Sequence, residues 1–170
     1  MDLYILRHGD AGPNRSSSAE DNARELTEDG REDVRRMAER LLGAGLLAPS
    51  IIFASPLIRA RQTAEIVKQV WRGSGDITTT QSLVSGDILR MMSEVAAQYP
   101  VHHAVLLAGH EPSLSAFACA VLAGSERSFI ELDKAGLIHI SVYQPDPVRM
   151  RGFLRMYLAP HHLAVAPQAG

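Results

Sequence analysis

Three short stretches carry side chains that could bind and attack a phosphoryl group: Arg7-His8-Gly9, the segment Ser55–Arg59 and Gly109-His110. Arginine presents a fixed fork of donors that matches phosphate oxygens. A neutral imidazole is a competent nucleophile when its other ring nitrogen is held as a donor. We therefore predict that His8 attacks phosphorus and that cationic or donor side chains from the other two stretches surround it.

Each of these stretches follows a short apolar run that predicts a buried strand, at residues 3–6, 51–54 and 104–108. Ligands of open α/β sheets bind beyond the carboxyl ends of the strands. The three stretches are therefore expected to converge at one edge of a sheet. Predicted helices after Ser55 and His110 would add backbone donors and the positive end of a helix dipole.

The rest of the chain alternates helices with strands and predicts a single α/β domain over residues 1–160, with a flexible tail over 161–170. The expected architecture is a three-layer α/β/α sandwich around a mostly parallel sheet with an antiparallel C-terminal strand. A polar stretch, 9–26, is expected to be a mobile loop that closes over substrate. Helices are predicted from the cap Thr27 to 43, from Ser55 to about Trp71, from Asp87 to Tyr99 and from Pro112 to Gly124. The stretch 77–84 is expected to be extended, and 137–143 with 153–158 to form a hairpin.

Composition limits the partners of the protein. The 170 residues are 46% hydrophobic, enough for one substantial core. The formal charge of −2 provides no basic field for nucleic acid or an anionic membrane, so we expect neither partner and expect any anion to be held locally. The one cysteine, Cys119, excludes an internal disulfide and fits a buried inert thiol in a reducing cytoplasm.

The ordered set of motifs resembles the histidine phosphatase superfamily, whose fold is that of phosphoglycerate mutase. Leu6-Arg7-His8-Gly9, the segment Ser55–Ala64 and Gly109-His110 look like the three signatures of that family, in its order. Leu26-Thr27 with Gly30 is similar to the entry of its first helix.

The compact SixA-type phosphohistidine phosphatases are the most similar group within that family. The run Arg7–Ala11, the closing run Met156–Pro160 and the lack of a large inserted cap resemble them. This resemblance implies that His8 is transiently phosphorylated, that Arg7, Arg59 and His110 form the phosphate pocket, and that water then releases phosphate without a metal or cofactor.

The proton donor to the leaving group is less clearly marked. Relatives that cleave phosphomonoesters use a carboxylate from the middle of the chain, where Asp87 is the candidate acid, with Glu94 further along the same predicted helix. Asp87 could equally serve only as a helix cap, and Asp10 is a second candidate acid. Asn14 lies where some relatives carry a phosphate-binding asparagine, so we expect it to bind substrate.

Several other residues in or near these motifs are expected to have structural roles and no part in catalysis. Arg61 lies about 200° around the helix from Arg59, so it is expected to pair on the surface. Ser55 is expected to be a helix cap. The neighbours His102-His103 and His161-His162 lack a partner at ligand spacing, so we expect no metal site. Cys119 has Ser125 instead of Arg six residues on, which excludes a cysteine-based phosphatase loop.

Together these features predict a metal-independent phosphatase that forms phosphohistidine on His8 and acts on phosphohistidine in a protein, for example a histidine-containing phosphotransfer domain. A site without a dedicated acid favours this substrate, because the N–P bond is weak and imidazole leaves readily. A small-molecule phosphomonoesterase of the same fold is the first alternative, and an inactive module that binds phosphorylated ligands is the second.

Overall fold

A six-stranded sheet carries the functional motifs. The computed structural model describes residues 1–72 and 75–163. The strands are β1 (Asp2–Arg7), β2 (Ile51–Ala54), β3 (Ile77–Thr79), β4 (Ala104–Gly109), β5 (Leu137–Gln144) and β6 (Arg151–Leu158). The helices of the described residues are α1 (Ser18–Asn22), α2 (Glu28–Gly43), α3 (Ile58–Val70), α4 (Ser82–Ser85), α5 (Ile88–Ala96) and α6 (Ser113–Ala123).

The strand order is β3-β2-β4-β1-β5-β6. The first four strands run parallel, β5 runs antiparallel to β1, and β6 runs antiparallel to β5. This arrangement confirms the mostly parallel α/β fold with an antiparallel C-terminal strand. In the pairing of β1 with β4, Arg7 lies opposite Gly109, so the residues that follow, His8 and His110, emerge side by side.

Helices cover both faces of the sheet, which explains why β1 and β4 are apolar throughout. On one face, Leu3 and Ile5 pack in a core with α4, α5 and α6. On the other face, Tyr4 and Leu6 pack in a second core with α2 and α3. Because both sides of β1 are buried, its carboxyl end is fixed rigidly where His8 begins the next loop.

The sequence prediction was wrong in local details of three segments. The polar stretch 9–26 contains the short helix α1, which buries no residue and so has no apolar pattern. The stretch 77–84 is extended only over Ile77–Thr79 and then turns into α4. Helix α3 begins at Ile58 after Leu57, so Ser55 does not cap it.

The first residues of the predicted C-terminal tail are folded. Residues Pro160–Leu163 form a 3₁₀ turn in which His161 pairs with Asp133 at 3.3 Å, so this part of the predicted flexible tail is folded. The rest of that tail, residues 164–170, lies outside the described residues. Within residues 1–72 and 75–163, every helix is too short or too polar to cross a membrane.

Candidate active site

The carboxyl ends of β1 and β4 and the start of α3 open into a pocket of about 250 Å³. It contains all four residues expected to form the phosphate site, together with Asn14. The lining residues are Arg7, His8, Gly12, Asn14, Asp21, Arg24, Arg59, His110, Glu111 and Lys134.

His8 is buried and held in one tautomer. Its Nδ1 lies 2.7 Å from the carbonyl oxygen of Gly9. A carbonyl can only accept, so Nδ1 carries the proton and Nε2 keeps its lone pair. Burial, helped by the nearby charges of Arg59 and Arg7, lowers the pKa of His8 to about 4 against the opposing effect of the bond to Gly9. The ring is therefore neutral at physiological pH.

The backbone around His8 is fixed by contacts with two helices. Gly9 N–H donates to Thr63 Oγ1 at 3.2 Å, and the Thr63 hydroxyl donates to the carbonyl of Arg59 one turn earlier in α3. At Gly30, in the first turn of α2, a Cβ atom would lie 2.2 Å from the Asp10 carbonyl oxygen. The close approach of these segments therefore requires a glycine at position 30.

His110 faces His8, with 5.0 Å between the ring centroids. Its Nε2 lies 2.8 Å from Ser55 Oγ, and that oxygen accepts the Leu57 N–H at 3.2 Å. Burial, followed by the neighbouring His8 and Arg59, lowers the pKa of His110 to about 3, so this ring is neutral too. Because the described residues offer the Ser55 hydroxyl no other acceptor, we assign it as the donor to Nε2, which leaves the proton on Nδ1. That Nδ1 is buried without a protein partner in the described residues.

The two arginines also present unused donors. Arg7 donates through Nη1 to the Leu132 carbonyl at 2.8 Å, and Arg59 donates through Nη1 to the Asp21 carbonyl at 2.8 Å. The Nε of each side chain is buried and finds no hydrogen-bond partner among the described residues. Orphaned buried donors are costly unless a ligand satisfies them. The donors of Arg7, Arg59 and His110 therefore indicate an anion site beside His8.

The loop between β1 and α2, residues 8–27, covers one side of the pocket and is organised by Arg24. This side chain donates to the carbonyl oxygens of Ala11 and Gly12, to Asp21 Oδ1 and to Asn14 Oδ1. Asn14, predicted to bind substrate, is thus held through its amide oxygen. Asp21 links the loop to α3 through a 3.5 Å ion pair with Arg59.

The candidate acids proposed from the sequence lie elsewhere. Asp87 is exposed and caps α5, accepting the Arg90 N–H at 3.0 Å, so the capping interpretation explains it. The Glu94 carboxylate accepts hydrogen bonds from the hydroxyls of Thr80 and Ser82. Asp10 pairs with Lys134, and that bond is the main cause of its lowered pKa. Asp87, Glu94 and Asp10 are all absent from the lining of the pocket.

Five lining residues were not predicted from the sequence: Gly12 and four residues with charged side chains. Asp21 lies in the short helix α1, and Arg24 and Lys134 lie in loops; the positions of all three depend on tertiary packing, and nothing local marks them. Glu111 carried a signal that could have been used, because it directly follows His110 at the end of a strand. Arg61 lies outside the pocket and forms an exposed pair with Glu65, as expected.

A sheet edge that holds a neutral, oriented imidazole among unpartnered cationic donors has the groups needed to bind a phosphoryl group and attack it. Comparison with known proteins agrees with this interpretation. Residues 3–85 match the model of the histidine phosphatase superfamily, branch 1. The chain is also 35% identical over 139 residues to an uncharacterized protein of Picosynechococcus sp., covering 81% of this chain and 83% of that protein.

Solved structures extend the similarity over the whole fold. A protein assigned as the phosphohistidine phosphatase SixA from Agrobacterium tumefaciens is 26% identical, with a TM-score of 0.72 and coverage of 94% of this chain and 97% of that chain. The alpha-ribazole phosphatase from Shigella flexneri is 15% identical, with a TM-score of 0.74 and coverage of 94% and 97%. The chain belongs to the histidine phosphatase superfamily, and its enzyme class is phosphatase.

Proposed function

We propose that the protein removes phosphoryl groups through a covalent phosphohistidine on His8, without a metal, and that its substrate is phosphohistidine in a protein. One observation carries the proposal: the His8 Nε2 lone pair faces a pocket where buried donors of Arg7, Arg59 and His110 lack partners. These donors match the oxygens of a phosphoryl group that Nε2 would attack.

The reaction follows from this geometry in two steps. In the first, Nε2 of His8 forms a bond to phosphorus while the bond from phosphorus to the leaving group breaks. The phosphorylated ring is cationic, because Nδ1 keeps the proton that it donates to Gly9. In the second step, water attacks phosphorus, the N–P bond breaks, and its electron pair returns to Nε2. Arg7, Arg59 and His110 stabilise the charge on the phosphoryl oxygens in both steps.

The choice of phosphohistidine as substrate rests on the chemistry of the leaving group and on similarity. An imidazole leaves phosphorus more readily than an alkoxide, because the N–P bond is the weaker bond. The relative assigned as SixA supports the same choice at 26% identity over most of both chains. A phosphorylated histidine-containing phosphotransfer domain is therefore the proposed macromolecular partner.

The experiment that tests the mechanism traps the intermediate. Wild-type protein mixed with substrate and quenched in alkali should carry a phosphoryl group that is lost in acid and maps to His8. His8→Ala should carry none and should lose turnover by at least a factor of about 10³. A wild-type protein that neither retains phosphate nor turns over any substrate would contradict the proposed reaction and favour an inactive module that binds phosphorylated ligands.

A substrate panel tests the specificity. We expect the highest kcat/KM for a phosphohistidine phosphotransfer domain and lower values for sugar and nucleotide phosphates. His103→Ala, outside the pocket lining, is the matched histidine control and should turn over every substrate as wild type does. Strong turnover of a small phosphoester with none of phosphohistidine would assign the protein to the small-molecule phosphatases instead.

A further inference from the structure

The pocket contains one carboxylate that is neither ion-paired nor assigned a role in the proposed reaction. Glu111 directly follows His110 in the loop between β4 and α6, and it lines the same pocket as His8. Its Oε1 accepts the Ser115 N–H at 3.1 Å, which anchors the side chain at the amino end of α6. Its second oxygen, Oε2, makes no hydrogen bond to another described residue.

The other carboxylate of the pocket cannot supply a proton near neutral pH. Asp21 bonds Arg24 at 2.8 Å and pairs with Arg59, and the hydrogen bond from Arg24 is the main cause of its lowered pKa. Burial raises the pKa of Glu111, and the side chain and N–H of Ser115 and the charge of Arg7 oppose that effect only in part. Glu111 therefore exists in its protonated form at a higher pH than Asp21 does.

We propose that Glu111 is a further catalytic residue of the site, which protonates the leaving-group oxygen when His8 attacks a phosphomonoester. This inference rests on the proposed function, because it requires His8 as the nucleophile. It extends the substrates of the site from phosphohistidine to esters of poorly leaving alcohols. A carboxyl group beside the phosphoryl site is the type of general acid that such esters require.

The groups of the pocket and one water molecule supply every bond and proton that the proposed reaction needs. His8 Nε2 forms the N–P bond, the P–O bond to the alcohol breaks, and the Glu111 proton moves to the departing oxygen. In the second half of the reaction, water attacks phosphorus and gives a proton to the Glu111 carboxylate as the N–P bond breaks. Free phosphate leaves, and Glu111 is protonated again.

The charges around Glu111 set the sign of its pH dependence. Arg7 favours its ionised form, Glu131 opposes ionisation, and Lys134 lines the same pocket. Because the protonated form is the active one, turnover of alkyl esters should fall as pH rises through the pKa of Glu111. Turnover should also fall at low pH, where His8 becomes protonated around its pKa of about 4. Esters with good leaving groups should show the low-pH limb alone.

The test is Glu111→Gln assayed with three phosphomonoesters of decreasing leaving ability: 2,4-dinitrophenyl, phenyl and ethyl phosphate. We expect kcat/KM to fall about 100-fold or more for ethyl phosphate, within the usual range for loss of a general acid, and to change little for 2,4-dinitrophenyl phosphate. The high-pH limb of the profile for ethyl phosphate should also disappear in the variant.

Asp87→Asn is the matched control, because asparagine also caps a helix and Asp87 lies outside the pocket. It should leave the dependence on the leaving group unchanged. An equal loss for all three esters in Glu111→Gln, or no loss, would overturn the proposal. So would a wild type that cleaves phosphohistidine yet never cleaves ethyl phosphate. Trapping of phosphohistidine on His8 in wild type distinguishes each of these results from failure of the proposed function.

Discussion

At the scale of single residues, the proton positions on two histidines define what the pocket can do. His8 keeps its proton on Nδ1 because the Gly9 carbonyl can only accept. His110 keeps its proton on Nδ1, which has no protein partner in the described residues, because Ser55 is assigned as the donor to Nε2. Ser55, predicted from the sequence to be a helix cap, therefore orients His110 instead.

Ser55→Ala should remove that orientation. Without the hydroxyl, Nε2 of His110 has no donor, so the ring can place its proton there and no longer donate to a phosphoryl oxygen. We expect kcat/KM to fall about fivefold, equivalent to one hydrogen bond of ~1 kcal/mol. The matched control is Ser50→Ala, because the Ser50 hydroxyl also bonds a histidine ring, His102 Nδ1 at 3.0 Å, but lies outside the pocket lining. Equal activity of the two variants would contradict this role for Ser55.

At the scale of elements, the loop between β1 and α2 depends on a few side chains of its own. Helix α1 within this loop buries no residue, so apolar packing contributes little to its position. Arg24 donates hydrogen bonds to two carbonyls and two side chains of the loop, and its side chain is only 9% exposed. We infer that this guanidinium, with the pair between Asp21 and Arg59, keeps the loop over the pocket.

Arg24→Lys should open the loop, because an ammonium group cannot reproduce the fork of donors. Hydrogen exchange of residues 11–23 should become faster, and KM should rise about tenfold, the effect of losing one charge-assisted hydrogen bond of ~1.5 kcal/mol. Arg35→Lys, in an exposed pair with Glu32, should change neither quantity. Unchanged exchange in residues 11–23 of Arg24→Lys would show that other contacts hold the loop.

The elements that the sequence predicted well are those with a strong local pattern. Apolar runs marked β1, β2 and β4, and an apolar face marked α2. Helix α1 was missed because it has no buried face, and α4 was missed because four residues are too short for helical periodicity. The site shows the same division: the residues at strand ends were predicted, whereas Arg24 and Lys134 reach the pocket only through the paths of long loops.

At the scale of the whole molecule, two separate cores meet only through the sheet that carries the site. The core with α2 and α3 fixes the loop after β1, and the core with α4, α5 and α6 fixes His110 and Glu111. The relative position of His8 and His110 therefore depends on the pairing of β1 with β4. A packing defect in either core should therefore lower both catalytic activity and the stability of the fold.

Two glycines of α2 allow a test of whether packing against the sheet controls both stability and activity. At Gly30, a Cβ atom would lie 2.2 Å from the Asp10 carbonyl oxygen and 2.6 Å from its nitrogen, both backbone atoms that cannot give way without moving the loop after His8. At Gly43, the last residue of α2, an added Cβ would meet open space.

Gly30→Ala should therefore destabilise the fold by about 1–3 kcal/mol, as overpacked sites do, and reduce kcat because His8 is displaced. Gly43→Ala should instead stabilise it by about 0.5–1 kcal/mol, because alanine loses less backbone entropy in a helix. Thermal unfolding should place the melting temperatures of the two variants on opposite sides of wild type, with full activity in Gly43→Ala. A Gly30→Ala protein with wild-type stability and turnover would mean that α2 does not constrain the backbone around His8.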